Sequence, residues 1–197
     1  MEIGILGLQG DFAAHARMLE KLGIAHVIVK KAVELDHVRG LIIPGGESLT
    51  ILKLMEKDGL ADALYSLHAR GIPIYGTCAG VILMAGKVLN IDQFSLNLLD
   101  VDVDRNGYGR QIDSFEIETL IPCLGSVFKM VFIRAPIIRR IGKDVEVLAE
   151  VEGDPVMVRQ GTILGTTFHP EMTHDTRVHA YFIRMVQEKM LMHQAVE

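Results

Sequence analysis

The chain has 197 residues, a formal net charge of -5 and two cysteines. A chain of this length buries roughly 70% of its unfolded surface without disulfide staples, and we expect one domain. The negative charge and the absence of a long basic run argue against nucleic-acid binding, and no apolar stretch reaches the ~18 residues that a membrane-spanning helix needs. Two cysteines without a signal-peptide pattern favour the reducing cytoplasm.

The first half of the chain alternates predicted strands with predicted helices. A continuous apolar run over residues 3–8 predicts a buried strand, and apolar residues at helical spacing over 12–22 predict a helix that Gly23 caps. Further strands are predicted over residues 25–29, 40–43 and 72–75. Repeated strand–helix units of this spacing indicate a mostly parallel sheet with helices on both faces.

The second half has a different pattern. Residues 99–104 alternate apolar side chains with aspartates, which is typical of a strand with one wet face. Later strands are predicted over residues 127–133, 145–151, 155–159 and 162–168, and a final helix over 176–192. We therefore expect an α/β fold with three layers: a flavodoxin-like, mostly parallel central sheet, helices on both faces, and an antiparallel or mixed extension in the second half. No repeat or linker interrupts residues 1–197, which supports a single domain.

A cysteine lies between two glycines at a predicted strand-to-helix junction, in the sequence Gly76-Thr77-Cys78-Ala79-Gly80. This is the nucleophile-elbow pattern GxSxG with sulfur in place of oxygen. The flanking glycines permit a sharp turn and close packing of helix on strand. A small buried cysteine is more commonly a core residue, so the motif alone leaves both interpretations open.

A glycine-rich turn, Pro44-Gly45-Gly46-Glu47-Ser48, follows the third predicted strand. Loops at the carboxyl ends of parallel strands hold the chemistry of open α/β sheets. Paired glycines can direct a backbone N–H toward a ligand, because no Cβ blocks the approach. Taken alone, a simple glycine turn into a helix that begins near Ser48 is the more common explanation of the motif.

The last apolar strand leads into His169, Pro170 and Glu171. In an extended segment the first and third side chains point to the same side, and the proline disfavours a helix that would separate them. A carboxylate beside an imidazole fixes its tautomer and stabilises its charged form. A cysteine nucleophile needs such a partner, because a free thiol with a pKa of about 8.5 is only slightly ionised at neutral pH.

Ordinary structural roles are expected for five other histidines. Hydrogen-bonded core or surface positions are expected for His15, His26, His37, His68 and His193. A zinc site near His169, His174 and His179 is the alternative, but the sequence contains neither HExxH nor a CxxC pair. We therefore expect no metal and no cofactor.

Together the motifs resemble the class I, triad-type glutamine amidotransferases, whose Cys-His-Glu order is reproduced by Cys78, His169 and Glu171. Six blocks from one end of the chain to the other are similar to the glutaminase subunits of pyridoxal 5'-phosphate synthase. These blocks are residues 4–10, 44–48, 76–80, 104–110, 132–136 and 168–171. Six blocks in order are far more specific than any one of them.

The resemblance implies hydrolysis of L-glutamine to L-glutamate and ammonia through a cysteine thioester. The ammonia would pass to a partner synthase subunit in a hetero-oligomeric complex that makes pyridoxal 5'-phosphate. Two alternatives stay open: a glutaminase or γ-glutamyl hydrolase of the same fold that serves another pathway, and a non-catalytic interaction protein. The resemblance also implies weak activity until the synthase binds, and a peptide flip at Gly45-Gly46 is a candidate for that switch.

The resemblance also assigns residue roles. Cys78 is the expected nucleophile, His169 the base and Glu171 the group that orients it. The backbone N–H groups of Gly46 and Ala79 are expected to form the oxyanion hole. Substrate contacts are expected from Gly46, Glu47, Ser48, Arg105, Ile133 and Arg134. Cys123 is interpreted as a structural thiol.

Overall fold

The computed structural model describes residues 1–57, 59–107 and 114–194. Residues 108–110, which end the predicted arginine block, lie outside the described residues. None of the helices in these three ranges is both long enough and apolar enough to cross a membrane.

Strands and helices follow one another as far as residue 88, and strands predominate between there and the last helix. The helices are α1 (Phe12–Lys21), α2 (Ser48–Lys57), α3 (Leu60–Ala69), α4 (Ala79–Met84) and α5 (Arg177–Gln194). The strands are β1 (Glu2–Leu6), β2 (Ala25–Val29), β3 (Gly40–Ile43), β4 (Ile74–Thr77), β5 (Ala85–Val88), β6 (Leu99–Asp104), β7 (Ser114–Ile121), β8 (Ser126–Ile133), β9 (Ile137–Ile141), β10 (Glu146–Val151), β11 (Asp154–Gln160) and β12 (Ile163–Thr166).

Within the described ranges the largest sheet has seven strands in the order β10-β11-β12-β4-β3-β1-β2. The five strands from β12 to β2 are parallel, and β11 and β10 extend the sheet in antiparallel fashion. The parallel part has the flavodoxin-like strand order. Strands β5, β6 and β9 form a small mixed sheet, and β7 and β8 form an antiparallel pair. The predicted fold is confirmed.

Two apolar clusters cover the two faces of the large sheet. One contains buried side chains of α2, α3 and α4, and the other contains buried side chains of α1 and α5. Successive residues of β3 alternate between them: Leu41 and Ile43 join the first cluster and Ile42 joins the second. This alternation follows from the two-residue period of a strand, and it gives the three-layer arrangement.

Strand β4 begins at Ile74 rather than at the predicted residue 72. Pro73 has no N–H to donate, and the backbone pairing with the β12 side begins when Ile74 N–H donates to Thr162 O at 3.1 Å. The strand then runs to Thr77, so Cys78 follows the strand without an intervening residue. In parallel register Thr77 lies opposite Thr166, and the loops that carry Cys78 and His169 therefore leave the sheet side by side.

Helix α5 should contribute strongly to stability through Phe182. This side chain is fully buried and packs beside Tyr75, with ring centroids 5.6 Å apart. We expect Phe182→Ala to lower the free energy of unfolding by about 3–5 kcal/mol, because it leaves a cavity in the core. Urea unfolding measures the change.

Leu191→Ala on the same helix is the matched control, because Leu191 is 66% exposed. It should change the free energy of unfolding by less than about 0.5 kcal/mol. Equal losses in the two variants would contradict the packing described here.

Candidate active site

Cys78 occupies a strained turn between β4 and α4. Its backbone has φ 48° and ψ -102°, in the positive-φ region that non-glycine residues rarely adopt. The turn is held by Cys78 N–H, which donates to Thr166 O at 2.8 Å. Such strain persists only where the surrounding structure enforces it, and it is concentrated at functional sites.

Close packing around this turn explains its glycines. A Cβ on Gly80 would clash with the carbonyl oxygen of Ile43, and a Cβ on Gly76 would meet the backbone of Gly80 at 2.8 Å. Glycine at both positions therefore lets α4 lie directly against the sheet. The positive φ itself is at Cys78 and not at these glycines.

The glycine-rich turn after β3 packs against the same site. Gly45 N–H donates to Thr77 Oγ1 at 2.9 Å, and Glu47 N–H donates to Gln9 Oε1 at 2.6 Å. A Cβ on Gly45 would clash with the imidazole ring of His169. The absence of a side chain at Gly45 therefore lets the turn and the imidazole come together.

His169 lies between the cysteine and a carboxylate. Its Nδ1 is 2.7 Å from Glu171 Oε1, and its ring also makes a hydrogen bond with the side chain of Cys78. The residues from Pro170 to Met172 form a short 3-10 turn, so the expected extended segment is not what brings the imidazole and the carboxylate together. The structure brings all three side chains together, and their catalytic roles remain predictions.

The pKa values of this pair move in opposite directions. Burial of the His169 ring acts to lower its pKa, but the hydrogen bonds to Cys78 and Glu171 outweigh it and raise the pKa from 6.5 to about 10. Burial acts to raise the pKa of Glu171, but the nearby imidazoles of His15 and His169 outweigh it and hold that pKa well below its usual range. The geometry thus favours a carboxylate beside an imidazolium.

A pocket of about 280 Å³ opens at this edge of the sheet, near the lower end of the size range of small-molecule sites. It is lined by Gln9, Gly46, Glu47, Ser48, Cys78, Ile82, Arg105, Asn106, Ile133, Arg134 and His169. All six predicted substrate-contact residues are among them. The other predicted oxyanion donor, Ala79, is buried and begins α4 directly after the cysteine.

The polar groups of the pocket are already partly paired. Arg105 forms a short ion pair with Glu47. Partial burial acts to raise the pKa of Glu47, but hydrogen bonds from Thr50 and the charge of Arg105 outweigh it and lower that pKa. Arg134 is exposed and has a positive φ of 44°. The backbone carbonyl of Ile133 accepts a hydrogen bond from Cys78 Sγ at 3.8 Å.

Sequence reasoning missed several residues of the site. Gln9, Ile82 and Asn106 line the pocket, and His15 lies 3.5 Å from the carboxylate of Glu171. Gln9 lies in the block over residues 4–10 and could have been nominated from it. Nothing in the local sequence around His15 indicates its position. Over the described ranges, no group of three or more His, Cys, Asp or Glu side chains is placed to hold a metal ion.

Comparison with known proteins identifies the family. Residues 5–188 match the SNO glutamine amidotransferase family. The chain belongs to this family. It is 50% identical over 188 residues to the pyridoxal 5'-phosphate synthase subunit PdxT of Kosmotoga olearia. The match covers 94% of this chain and 98% of that protein. This chain is 48% identical over 188 residues to the protein of the same name from Thermotoga maritima, and that match covers 95% of this chain and 100% of that protein.

Solved structures agree with membership of the SNO glutamine amidotransferase family. A crystal structure of a glutamine amidotransferase is 43% identical and matches with a TM-score of 0.90, covering 94% of this chain and 98% of that one. The glutaminase domain of Trypanosoma brucei CTPS with bound acivicin is 13% identical, with a TM-score of 0.66, and covers 95% of this chain and 94% of that one. At that identity the second match shows a shared fold only.

The raised pKa of His169 can be tested by titration. We expect the imidazole of His169 in the wild type to lose its proton with a midpoint near pH 10. The imidazolium then contributes stability that is fully present below pH 6.5 and is lost as the pH rises through about 10. Glu171→Gln removes the neighbouring charge and should lower the midpoint by about 1–3 pH units. NMR of the protein with isotope-labelled histidine measures both midpoints.

Glu20→Gln is the matched control, because Glu20 is an exposed carboxylate that faces a different imidazole, that of His26. It should leave the titration of His169 unchanged. A wild-type midpoint near 6.5 would contradict the arrangement described here.

Proposed function

We propose that this protein hydrolyses L-glutamine to L-glutamate and ammonia and delivers the ammonia to a synthase subunit that makes pyridoxal 5'-phosphate. The relatives named pyridoxal 5'-phosphate synthase subunit PdxT support this proposal, because they match nearly the whole chain at about half identity. The observation that carries the chemistry is the hydrogen-bonded series from Cys78 through His169 to Glu171. The proposed unit is one glutaminase domain over residues 1–197.

The proposed reaction begins from the pair in which His169 holds the proton and Cys78 Sγ is the thiolate, because the raised pKa of His169, about 10, keeps its ring protonated at neutral pH. The thiolate attacks the side-chain amide carbon of glutamine, and the amide oxygen becomes an oxyanion. Collapse of this intermediate breaks the C–N bond, and His169 gives its proton to the departing ammonia. A γ-glutamyl thioester remains. Water then attacks the thioester while His169 accepts a proton from it, and glutamate leaves as the thiolate of Cys78 is re-formed beside the protonated ring.

Glu171 has a separate role in this proposal. Its carboxylate accepts a hydrogen bond from the Nδ1–H of His169, which leaves the other ring nitrogen to exchange protons with Cys78. Its negative charge also stabilises the imidazolium that forms when the thiol ionises. Both effects favour a ring that is oriented and charged to exchange a proton with the substrate.

We assign the oxyanion to the backbone N–H groups of Gly46 and Ala79. The amides on either side of Gly46 are engaged, since Gly45 N–H donates to Thr77 and Glu47 N–H donates to Gln9. The amide of the residue after the nucleophile is the other usual donor at an elbow of this kind. Loss of one such donor raises the reaction barrier by about 3 kcal/mol.

Charged side chains of the pocket suit a free amino acid. A guanidinium can hold a carboxylate with two parallel hydrogen bonds, so Arg105 or Arg134 fits the α-carboxylate of glutamine. Glu47 supplies the opposite charge for the α-ammonium group. Ser48 and Ile133 complete the proposed contacts from the pocket wall.

We also propose a cytoplasmic location. Both cysteines, Cys78 and Cys123, are free thiols. A reducing compartment keeps thiols in this form.

An ammonia assay distinguishes the two thiols. With the synthase subunit present, we expect Cys78→Ala to lower the rate of ammonia release from glutamine by at least about a thousandfold, because it removes the nucleophile. Cys123→Ala is the matched control. Burial raises the pKa of the Cys123 thiol and keeps it un-ionised, so this variant should stay close to the wild-type rate.

A large loss in Cys123→Ala with normal activity in Cys78→Ala would contradict the assignment of the nucleophile. The same assay without the synthase tests the proposed gating. Equal wild-type rates with and without the synthase would contradict a switch at the glycine-rich turn.

A further inference from the structure

Two fully buried histidines lie behind the proposed catalytic residues. His15 belongs to α1 and His179 to α5, and both side chains are excluded from solvent. Their polar nitrogens are costly to bury unless they are hydrogen-bonded. The mechanism proposed above uses neither residue.

The two imidazoles are hydrogen-bonded to each other, and His15 lies beside both Glu171 and Thr77. His15 Nδ1 is 2.9 Å from His179 Nε2, and His15 Nε2 is 3.5 Å from Glu171 Oε1. The same carboxylate oxygen is 2.7 Å from His169 Nδ1. Within the part of the chain that the structure describes, Glu171 Oε2 has no hydrogen-bond partner. One oxygen of the buried carboxylate therefore faces an imidazole on each side, hydrogen-bonded to that of His169 and at ion-pair distance from that of His15.

The chemistry of these groups fixes the direction of the donors. The two groups that face His15 Nε2, the carboxylate of Glu171 and the hydroxyl oxygen of Thr77, can both accept a hydrogen bond, which favours a proton on that nitrogen. Burial and the nearby His15 lower the pKa of His179 to about 3, so His179 is neutral. A neutral His179 that donates from Nε2 to His15 Nδ1 has a bare Nδ1. Among the described residues this Nδ1 has no partner, which is less costly for a bare acceptor than for an N–H.

We propose that His15 is a positioning residue for the reaction: it donates a second hydrogen bond to Glu171 Oε1 and holds the carboxylate in line with His169. This inference rests on the glutaminase function proposed above. His179 acts one step further back, because its donated hydrogen bond fixes the tautomer of His15. Glu171 thus meets the imidazolium of His169 in one orientation and in one charge state.

His15 also lies beside the glycine-rich turn. Thr77 Oγ1 is 3.3 Å from His15 Nε2 and accepts the N–H of Gly45 at 2.9 Å. One imidazole therefore lies beside both the carboxylate of the triad and the hydroxyl that anchors the turn next to the proposed oxyanion donor. Displacement of the His15 ring should disturb the geometry of the reacting side chains more than it disturbs binding of the α-amino and α-carboxylate groups of the substrate glutamine.

Loss of His15 should also change the pH dependence. Four side chains face Glu171: His169, His15 of α1, Tyr75 of β4 and His179 of α5. Tyr75 is fully buried, and burial and the charge of Glu171 hold its pKa well above the usual range, so it stays neutral. Without the His15 donor, burial of the Glu171 carboxylate is less well compensated and its pKa rises. On the acid side of the pH profile, the fall in kcat should then begin at a higher pH than in the wild type.

Two amide variants separate positioning from packing. The amide nitrogen of His15→Gln reaches the position of the lost Nε2 and can donate to Glu171. The shorter side chain of His15→Asn reaches only the Nδ1 position. It therefore stays polar and keeps the contact to His179, but it loses the contact to the Glu171 carboxylate. Met18→Ala is the control for loosening of the same helix, because Met18 is buried in α1 one turn further on. Each variant is assayed with the synthase for kcat and KM of ammonia release from glutamine, across pH, and its folding is checked by thermal unfolding.

We expect His15→Asn to lower kcat by about tenfold to a hundredfold, the loss that corresponds to one hydrogen bond to a charged group. Its KM should stay within about twofold of the wild type, because glutamine does not contact His15. The fall in its kcat on the acid side should begin at a higher pH than in the wild type. His15→Gln should recover most of the lost rate, and Met18→Ala should keep the wild-type pH profile.

Equal losses in the Asn and Gln variants, or a loss in the Asn variant with an unchanged pH profile, would show that His15 serves packing only. An active wild type with an equally active His15→Asn would overturn this inference alone. A wild type that releases no ammonia even with the synthase would overturn the proposed function and this inference with it.

Discussion

The arrangement of the site depends on one buried negative charge. Glu171 is excluded from solvent, and such a carboxylate is tolerated only when donors from the fold surround it. Those donors come from separate parts of the chain, since His169 follows β12 and His15 lies on α1. The first helix and the last strand of the large sheet must therefore dock correctly before the carboxylate can be buried. The site is in this sense a product of the whole fold and not of one loop.

The strands and helices that could be predicted are those that a short run of neighbouring residues makes recognisable. Strands β2 and β3 were predicted with their observed bounds, because each is a short apolar run with glycine or charged residues beside it. Strands β5, β7 and β9 were not predicted. In β7 exposed and half-buried residues alternate over most of the strand, so its position depends on pairing with β8 and not on burial of an apolar face.

The same distinction holds for the site. Cys78 and His169 are recognisable because glycines or a neighbouring carboxylate accompany them in the sequence. Ile133 could be nominated only by resemblance, since its part in the pocket comes from the backbone carbonyl that faces Cys78 Sγ. His15 could not be found at all, because Glu171 and His179 are separated from it by more than a hundred and fifty residues and only the fold brings them together.

Identification of the reacting sulfur decides whether Cys78 is the nucleophile. An electrophilic glutamine analogue is added to the protein with its synthase subunit, and the modified residue is located by peptide mass spectrometry. We expect one covalent adduct per chain, on Cys78. In Glu171→Gln this adduct should be absent or should form much more slowly. An adduct on Cys123, or no adduct while glutamine is still turned over, would contradict this assignment.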